Sequence, residues 1–242
     1  MPWPSPWRSD RIHAVKRDGM LKILSLSDIE LGIVYSPQIV DRFGDVDLVI
    51  SCGDLPYYYL EYVISMLDVP LYFVRGNHAS QVEYTAAGTR SSPWGAIDLH
   101  NCGARHASGL LLAGVEGSVR YNNGPYQYTQ EEMWWNVFSL VPRLLRNKTR
   151  FGRYLDVFVT HAPPWKIHDS EDLPHQGIKA FRWLLNVFKP SLHLHGHIHV
   201  YAPNTLVESV FGETRVLNTY GHKVVDVDYP YLADFSRRST RR

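Results

Sequence analysis

Two histidines near the end of the chain, His197 and His199, are separated by a single residue. In an extended segment, residues i and i+2 point to the same side, so both imidazoles can face one ligand, while Gly196 lets another backbone segment approach. Two neutral imidazoles side by side favour a metal ion. A solvated or buried histidine cluster would have the same local sequence, so residues elsewhere in the chain have to distinguish the two interpretations.

Other polar side chains follow the apolar segments that we predict as strands. They are Asp28, Glu30, Asp54, Asn77, His78 and His161. With His197 and His199 they supply carboxylate, amide and imidazole donors, a mixture that suits first-row divalent ions. Because no cysteine lies at these positions, a thiolate zinc site is disfavoured.

This donor set is too large for one ion. It suits two ions ~3.5–4 Å apart that share a carboxylate and a water or hydroxide. Such a pair lowers the pKa of the shared water from ~15.7 toward ~7 and neutralises phosphoryl oxygens. The set therefore predicts in-line displacement at phosphorus.

The elements that must position these side chains alternate along the first third of the chain. Strands are predicted at 21–26, 46–50 and 70–74, and helices at 37–43 and 57–67. The order βαβαβ favours a largely parallel sheet, and in such sheets a site forms beyond the carboxyl ends of the strands.

The rest of the chain has a less regular pattern. Strands are predicted at 96–99, 110–114, 155–160 and 191–195, helices at 130–148, with a kink at Pro142, and at 177–188, and hairpin strands at 205–210, 215–219 and 223–227. The hairpin turns are expected at 211–212 and 220–221. The polar residues His161 and His197 follow two of these strands.

The spacing of the polar residues resembles that of the calcineurin-like metallophosphoesterase superfamily, whose pattern is D-x-H, G-D, G-N-H, a later lone His and G-H-x-H. The similarity covers roughly residues 21–227. It implies an α/β fold, a four-layer α/β/β/α sandwich with two mixed central sheets and the site at the carboxyl ends of the strands. The resemblance assigns Asp28 and His199 to a first ion, Asp54 to a bridge, Asn77, His161 and His197 to a second ion, and His78 to the substrate phosphate.

Two positions depart from the superfamily pattern. Glu30 stands where the family has His, and Ala79 where an acidic residue commonly follows. Glu30 could bind through an oxygen, through a water or not at all. An oxygen ligand would favour Mn²⁺ or Mg²⁺ over Zn²⁺. We expect two divalent ions, with Mn²⁺ as the preferred metal and Fe, Zn, Ni and Mg as alternatives. Without an acid after His78, the tautomer of that ring has no obvious orienting partner.

A looser resemblance links the second half to metallophosphoesterase-domain-containing proteins related to cyclic-nucleotide phosphodiesterases. It rests on residues 160–164, 168–169, Gly177, Pro190 and 195–199, and it implies a phosphodiester substrate.

Three further side chains are candidates for binding the substrate: Arg75, His168 and Asp169. Each has a structural alternative, because Arg75 could point into a helix layer and the other two could belong to a solvated polar loop.

The composition limits the remaining functions. The chain has 242 residues, 45% of them apolar, and 25 basic against 24 acidic residues. Because the basic and acidic residues nearly balance, the sequence does not indicate the basic groove that binding to nucleic acid requires. With two cysteines and no apolar run of about 18 residues, we expect a cytoplasmic protein without a membrane span. The expected organisation is an arm at 1–19, one metallophosphoesterase domain at 20–230 and a basic tail at 231–242.

The sequence thus predicts a metal-dependent phosphoesterase, specifically a phosphodiesterase acting on a small phosphate ester through a metal-bridging hydroxide. The alternative is a catalytically weakened member of the fold that acts as an interaction scaffold.

Overall fold

The computed structural model describes residues 20–85, 88–202 and 205–228. The predicted arm at 1–19 and tail at 231–242 lie outside the described residues. The helices are α1 (Ile39–Phe43), α2 (Tyr57–Leu67), α3 (Gln130–Phe151) and α4 (Lys179–Phe188). The strands are β1 (Met20–Ser27), β2 (Leu48–Ser51), β3 (Leu71–Phe73), β4 (Glu83–Thr85), β5 (Gly88–Arg90), β6 (Ala96–Asp98), β7 (Gly103–Arg105), β8 (Leu111–Val115), β9 (Ser118–Val119), β10 (Gln127–Tyr128), β11 (Val157–Thr160), β12 (Leu192–His195), β13 (Glu208–Phe211), β14 (Thr214–Asn218) and β15 (Gly221–Asp228).

Two large mixed sheets form the centre of the fold. The first has the order β15-β1-β2-β3-β6, with β15 antiparallel to β1 and the other neighbours parallel. The second has the order β13-β14-β12-β11-β8-β7, in which β14, β12, β11 and β8 run parallel. The carboxyl ends of several parallel strands therefore lie along one edge of each sheet.

Side chains of β1 alternate between two apolar cores, as expected for a strand buried on both faces. Leu21 and Ile23 pack in the core between the sheets. Leu24 and Leu26 pack on the opposite face, in a core that includes residues of α1 and α2. A third core joins the outer face of the second sheet to α3 and α4. The predicted four-layer α/β/β/α sandwich is confirmed.

Helix α3 begins with the predicted capping box. The Thr129 side chain accepts from the Glu132 backbone N–H, and the Glu132 carboxylate accepts from the Thr129 N–H. The helix continues without interruption through Pro142 and ends at Gly152, whose φ of 78° is left-handed. Among the helices described, none is long and apolar enough to cross a bilayer.

The predicted turn at 220–221 is not a hairpin. β13 and β14 do form one, but β14 also pairs parallel with β12, while β15 enters the other sheet beside β1. Local turn residues cannot reveal that β15 joins the other sheet, because its partner strand β1 lies at the far end of the described chain. The short strands β4, β5, β7, β9 and β10 were not predicted, since two or three residues carry no readable alternation.

We expect Phe181→Ala to lower the free energy of unfolding by about 3–5 kcal/mol, since it empties a fully buried site. Phe181 is 0% exposed, and its ring lies 5.5 Å from that of Phe158. Trp135→Ala on α3 is the control. Because Trp135 is 74% exposed, it should cost about 0.5 kcal/mol. Urea unfolding measures both, and equal costs would contradict this description of the core.

Candidate metal centre

The carboxyl edges of the two sheets meet, and the candidate ligands lie in the turns there. Asp28 follows β1, Asp54 follows β2 and Asn77 follows β3 in one sheet, whereas His161 follows β11 and His197 follows β12 in the other. The sheets are bonded across this junction, because the Asp28 carboxylate accepts from the His197 N–H at 3.0 Å.

Three of these residues have backbone conformations that side chains disfavour. Asp28 has φ 69°, Asp54 φ 56° and His197 φ 68°. The left-handed region costs a non-glycine residue about 1–2 kcal/mol, and such strain concentrates at functional sites. Their coincidence in three separate turns supports a common role.

Two glycines leave room for the polar groups. A Cβ on Gly196 would lie 1.9 Å from Ser27 Oγ and 2.6 Å from Asp28 Oδ2. A Cβ on Gly76 would lie 2.0 Å from Asp54 Oδ1. The close approach requires glycine at both positions.

Three candidate ligands converge on one nitrogen, His161 Nε2. Asn77 Oδ1 lies 3.0 Å from it, His197 Nδ1 3.1 Å and Asp54 Oδ2 3.2 Å. The opposite ring nitrogen, Nδ1, donates to the Cys52 carbonyl at 2.8 Å. The Asn77 amide nitrogen donates to the Tyr121 hydroxyl at 3.1 Å, which turns its oxygen toward His161.

The carboxylates set the protonation of this cluster. Burial alone would lower the pKa of His161, but Asp54, Asp28 and the Cys52 carbonyl raise it to about 9. Burial likewise opposes ionisation of Asp54, yet His161 and the His78 backbone N–H lower its pKa to about 2. At Asp28 the effect of burial outweighs the opposing effects of His161 and of the hydrogen bonds, and it raises the pKa of the carboxyl group.

The residues fit a divalent cation. Single ligand atoms of Asp28, Asp54 and His161 lie within 4.8 Å of one another. In the described part of the chain, the charged partners of both carboxylates are histidines, with no lysine or arginine paired to them. Oxygen and nitrogen donors without a permanently charged cation beside them suit a borderline ion.

His197 is oriented by a residue that the sequence did not indicate. Its Nε2 lies 2.7 Å from the Pro174 carbonyl, which can only accept, so Nε2 carries the proton. Burial lowers the pKa of His197 to about 3, so the ring is neutral and Nδ1 keeps a lone pair toward the cluster. A backbone carbonyl behind a histidine ligand is a common arrangement in metal sites.

The two remaining donors of the predicted first ion are more exposed. His199 Nε2 lies 3.9 Å from Asp28 Oδ1, and its Nδ1 bonds to the Tyr201 hydroxyl at 2.6 Å. Glu30 is exposed, accepts from the Tyr58 hydroxyl and lies outside the cluster of Asp28, Asp54 and His161. The structure does not bring Glu30 to the other ligands.

His78 lies at the solvent-facing side of the centre. Its backbone N–H donates to Asp54 Oδ1 at 2.8 Å, while its side chain is exposed. Ala79, which stands where an acidic residue was expected, is buried.

Arg75 makes contacts within the protein instead of facing the centre. Its guanidinium bonds to Asp98 at 2.5 Å and to the buried Glu116 at 3.3 Å. Its Nε donates to the Tyr57 hydroxyl at 3.4 Å. Arg75 therefore anchors the segment before Asn77.

His168 and Asp169 hold their own loop. Asp169 accepts from the backbone of Lys166 at 2.9 Å and of Gly177 at 3.2 Å. His168 Nδ1 lies 2.9 Å from His195 Nε2, inside the protein. The same loop carries Pro174, whose carbonyl orients His197.

Comparison with known proteins decides the family. The model of the calcineurin-like phosphoesterases matches residues 21–201, most of the chain. The chain belongs to the calcineurin-like phosphoesterase family. Membership supports a metal-dependent hydrolase of phosphoric esters in general. Asp28, Asp54 and His161 lie close enough together that they could hold a metal ion.

Solved structures agree with this family fold. One aligns over 87% of this chain and 99% of its own, with a TM-score of 0.57 and 12% identity. The protein TT1561 of Thermus thermophilus aligns over 86% of this chain and 99% of its own, with a TM-score of 0.53 and 13% identity. At these identities the likeness shows the fold alone. A search of curated proteins finds no match to the sequence.

We expect Gly196→Ala to weaken Mn²⁺ binding by about 10- to 100-fold, because its Cβ would displace Ser27 and Asp28. Gly32→Ala is the matched control, since a Cβ there has nothing within 4 Å. Calorimetric titration of both metal-free variants measures the difference. Equal affinities would show that Gly196 does not shape the centre.

Ion binding should strengthen by about tenfold per pH unit between pH 6.5 and about 9, because His161 must lose its proton to accept an ion. Titration at pH 7.5 in two buffers of different ionisation enthalpy should detect about one proton released. A pH-independent affinity without proton release would contradict the raised pKa of His161.

Proposed function

We propose that this chain is a phosphodiesterase that hydrolyses a small phosphodiester substrate with two divalent ions, of which Mn²⁺ is the preferred metal. The convergence of Asn77, His197 and Asp54 on His161 Nε2 carries this proposal. Asn77, His161 and His197 would hold one ion, Asp28 and His199 the other, and Asp54 would bridge them. When bound, the ions would supply an activated water for in-line attack and neutralise charge on the phosphoryl oxygens.

The protein's own groups prepare the centre before an ion binds. Asp54 stays ionised because its pKa is lowered to about 2. The Pro174 carbonyl keeps the proton of His197 on Nε2, and the Tyr121 hydroxyl keeps the Asn77 oxygen turned inward. These contacts preorganise the ligands, which reduces the cost of assembling them around an ion.

His78 is the proposed general acid. Its backbone is tied to the Asp54 carboxylate, and its exposed imidazole is free to reach a bound ester. It would donate a proton to the leaving oxygen as the bond to phosphorus breaks.

Two observations favour a diester over a monoester. The resemblance at 160–164 and 195–199 points to phosphodiesterases. In addition, Arg75 is neutralised by Asp98 and Glu116, so it adds no positive charge for the dianion of a monoester. The cytoplasm remains the proposed location, since Cys52 and Cys102 are both free thiols.

A second candidate function is an interaction scaffold with a weakened centre. The separation of Glu30 from the ligand cluster favours it. A metal count distinguishes the two: two ions per chain with turnover support the enzyme, and none or one without turnover supports the scaffold.

The metal-free protein loaded with Mn²⁺, Mg²⁺, Zn²⁺, Ni²⁺ or Fe²⁺ should hydrolyse bis(p-nitrophenyl) phosphate faster than p-nitrophenyl phosphate. Asp54→Asn should abolish ion binding and turnover together.

His78→Gln should keep the ions but lower the rate of turnover by about 10²- to 10⁴-fold on esters with alkyl leaving groups, which need a proton. The rate on nitrophenyl esters should fall less.

Glu213→Gln serves as the control, because Glu213 is an exposed carboxylate paired with Lys189. No turnover with any of these ions at full occupancy would refute the proposal. Full activity of Asp54→Asn would refute the bridging role.

A further inference from the structure

Glu30, two residues after Asp28 in the chain, forms a hydrogen-bonded pair with Tyr58. The carboxylate of Glu30 accepts from the Tyr58 hydroxyl, and both residues are exposed. This bond raises the pKa of Tyr58 to about 12, so the hydroxyl keeps its proton under ordinary conditions. Neither the proposed reaction nor the family pattern accounts for this pair.

The backbone around Glu30 is held in place by the neighbouring tyrosine of the same helix. The Leu31 N–H donates to the buried hydroxyl of Tyr59 at 3.3 Å. On the other side, the Ile29 N–H donates to the Ser27 carbonyl at 2.8 Å. Because the backbone is restrained on both sides, the position of the Glu30 carboxylate depends mainly on its side-chain torsions.

Tyr58 packs at the edge of an aromatic cluster. Its ring lies 5.7 Å from that of Tyr35, edge to face, and Tyr35 also contacts Tyr59 at 5.9 Å and Tyr62 at 4.6 Å. The Tyr58 hydroxyl is therefore carried by a ring that packs against a neighbouring tyrosine. An exposed glutamate would otherwise sample many rotamers, and this bond selects one of them.

That rotamer keeps the carboxylate away from Asp28, Asp54 and His161. We propose that Tyr58 is a latch that holds Glu30 off the first ion position. The affinity of that position for a divalent ion is then set by competition between the Tyr58 hydroxyl and the ion for one carboxylate. The inference rests on the proposed two-ion centre and concerns Tyr58 as a positioning residue.

The latch makes the two ion positions unequal. Asn77, His161 and His197 are buried and already oriented toward one point. The other position would have Asp28, the shared Asp54 and the exposed His199, and it would gain Glu30 only when the bond to Tyr58 breaks. One ion should therefore bind tightly and the other weakly.

Tyr58→Phe tests the latch because it removes only the hydroxyl. Calorimetric titration of the metal-free protein with Mn²⁺ should resolve a tight and a weak event. The variant should tighten the weak event by about three- to tenfold, the equivalent of one ordinary net hydrogen bond, and leave the tight event unchanged. Tyr62→Phe is the matched control, since Tyr62 lies on the same helix and packs on Tyr35.

A double-variant comparison identifies Glu30 as the group released. In a Glu30→Ala background, Tyr58→Phe should no longer change the weak event. Electron paramagnetic resonance gives an independent readout. The signal of a coupled Mn²⁺ pair should appear at a lower Mn²⁺ concentration in Tyr58→Phe than in the unaltered protein.

The outcomes separate this inference from the proposed function. Two binding events that Tyr58→Phe leaves unchanged or weakens would overturn the latch and leave the two-ion centre standing. A gain that persists in the Glu30→Ala background would also overturn it. Failure of the unaltered protein to bind any Mn²⁺ would overturn both.

Discussion

The buried ring of His161 is the contact on which the junction of the two sheets depends. It follows β11 in one sheet, and its Nδ1 donates to the Cys52 carbonyl, which follows β2 in the other. Its Nε2 meets Asn77 and His197. Because the ring is fully buried, each bond replaces one to water, and losing any of them would leave a polar atom unsatisfied. Hydrogen bonds as well as apolar packing therefore align the two sheets at this edge.

Burial of negative charge explains the kind of partners around the centre. An isolated carboxylate is costly to bury, and the side chain of Asp28 is 1% exposed. The fold offsets this cost with backbone N–H groups and with histidine. A lysine or arginine would keep its positive charge and repel an incoming cation, whereas His161 can release a proton. The choice of histidine leaves the metal-free centre stable and still able to accept an ion.

The layers of the fold could be predicted because they follow from local patterns. Apolar runs such as 21–26 and helical spacing such as 57–67 report burial directly, and both elements lie where they were expected. The location of β15 could not be predicted, because its antiparallel partner β1 lies at the opposite end of the described chain and any apolar strand would serve. Short strands such as β9 depend on their neighbours more than on their own residues.

The sequence by itself determined the donor types and their order, because a polar residue that ends an apolar strand is a local feature. Only the tertiary structure decided where each side chain points. Arg75 turns to Asp98 and Glu116, and Glu30 turns to Tyr58, although each lies beside a candidate ligand in sequence. The direction of a long side chain is set by partners distant in the chain, since several rotamers have similar intrinsic energy and one hydrogen bond or ion pair selects among them.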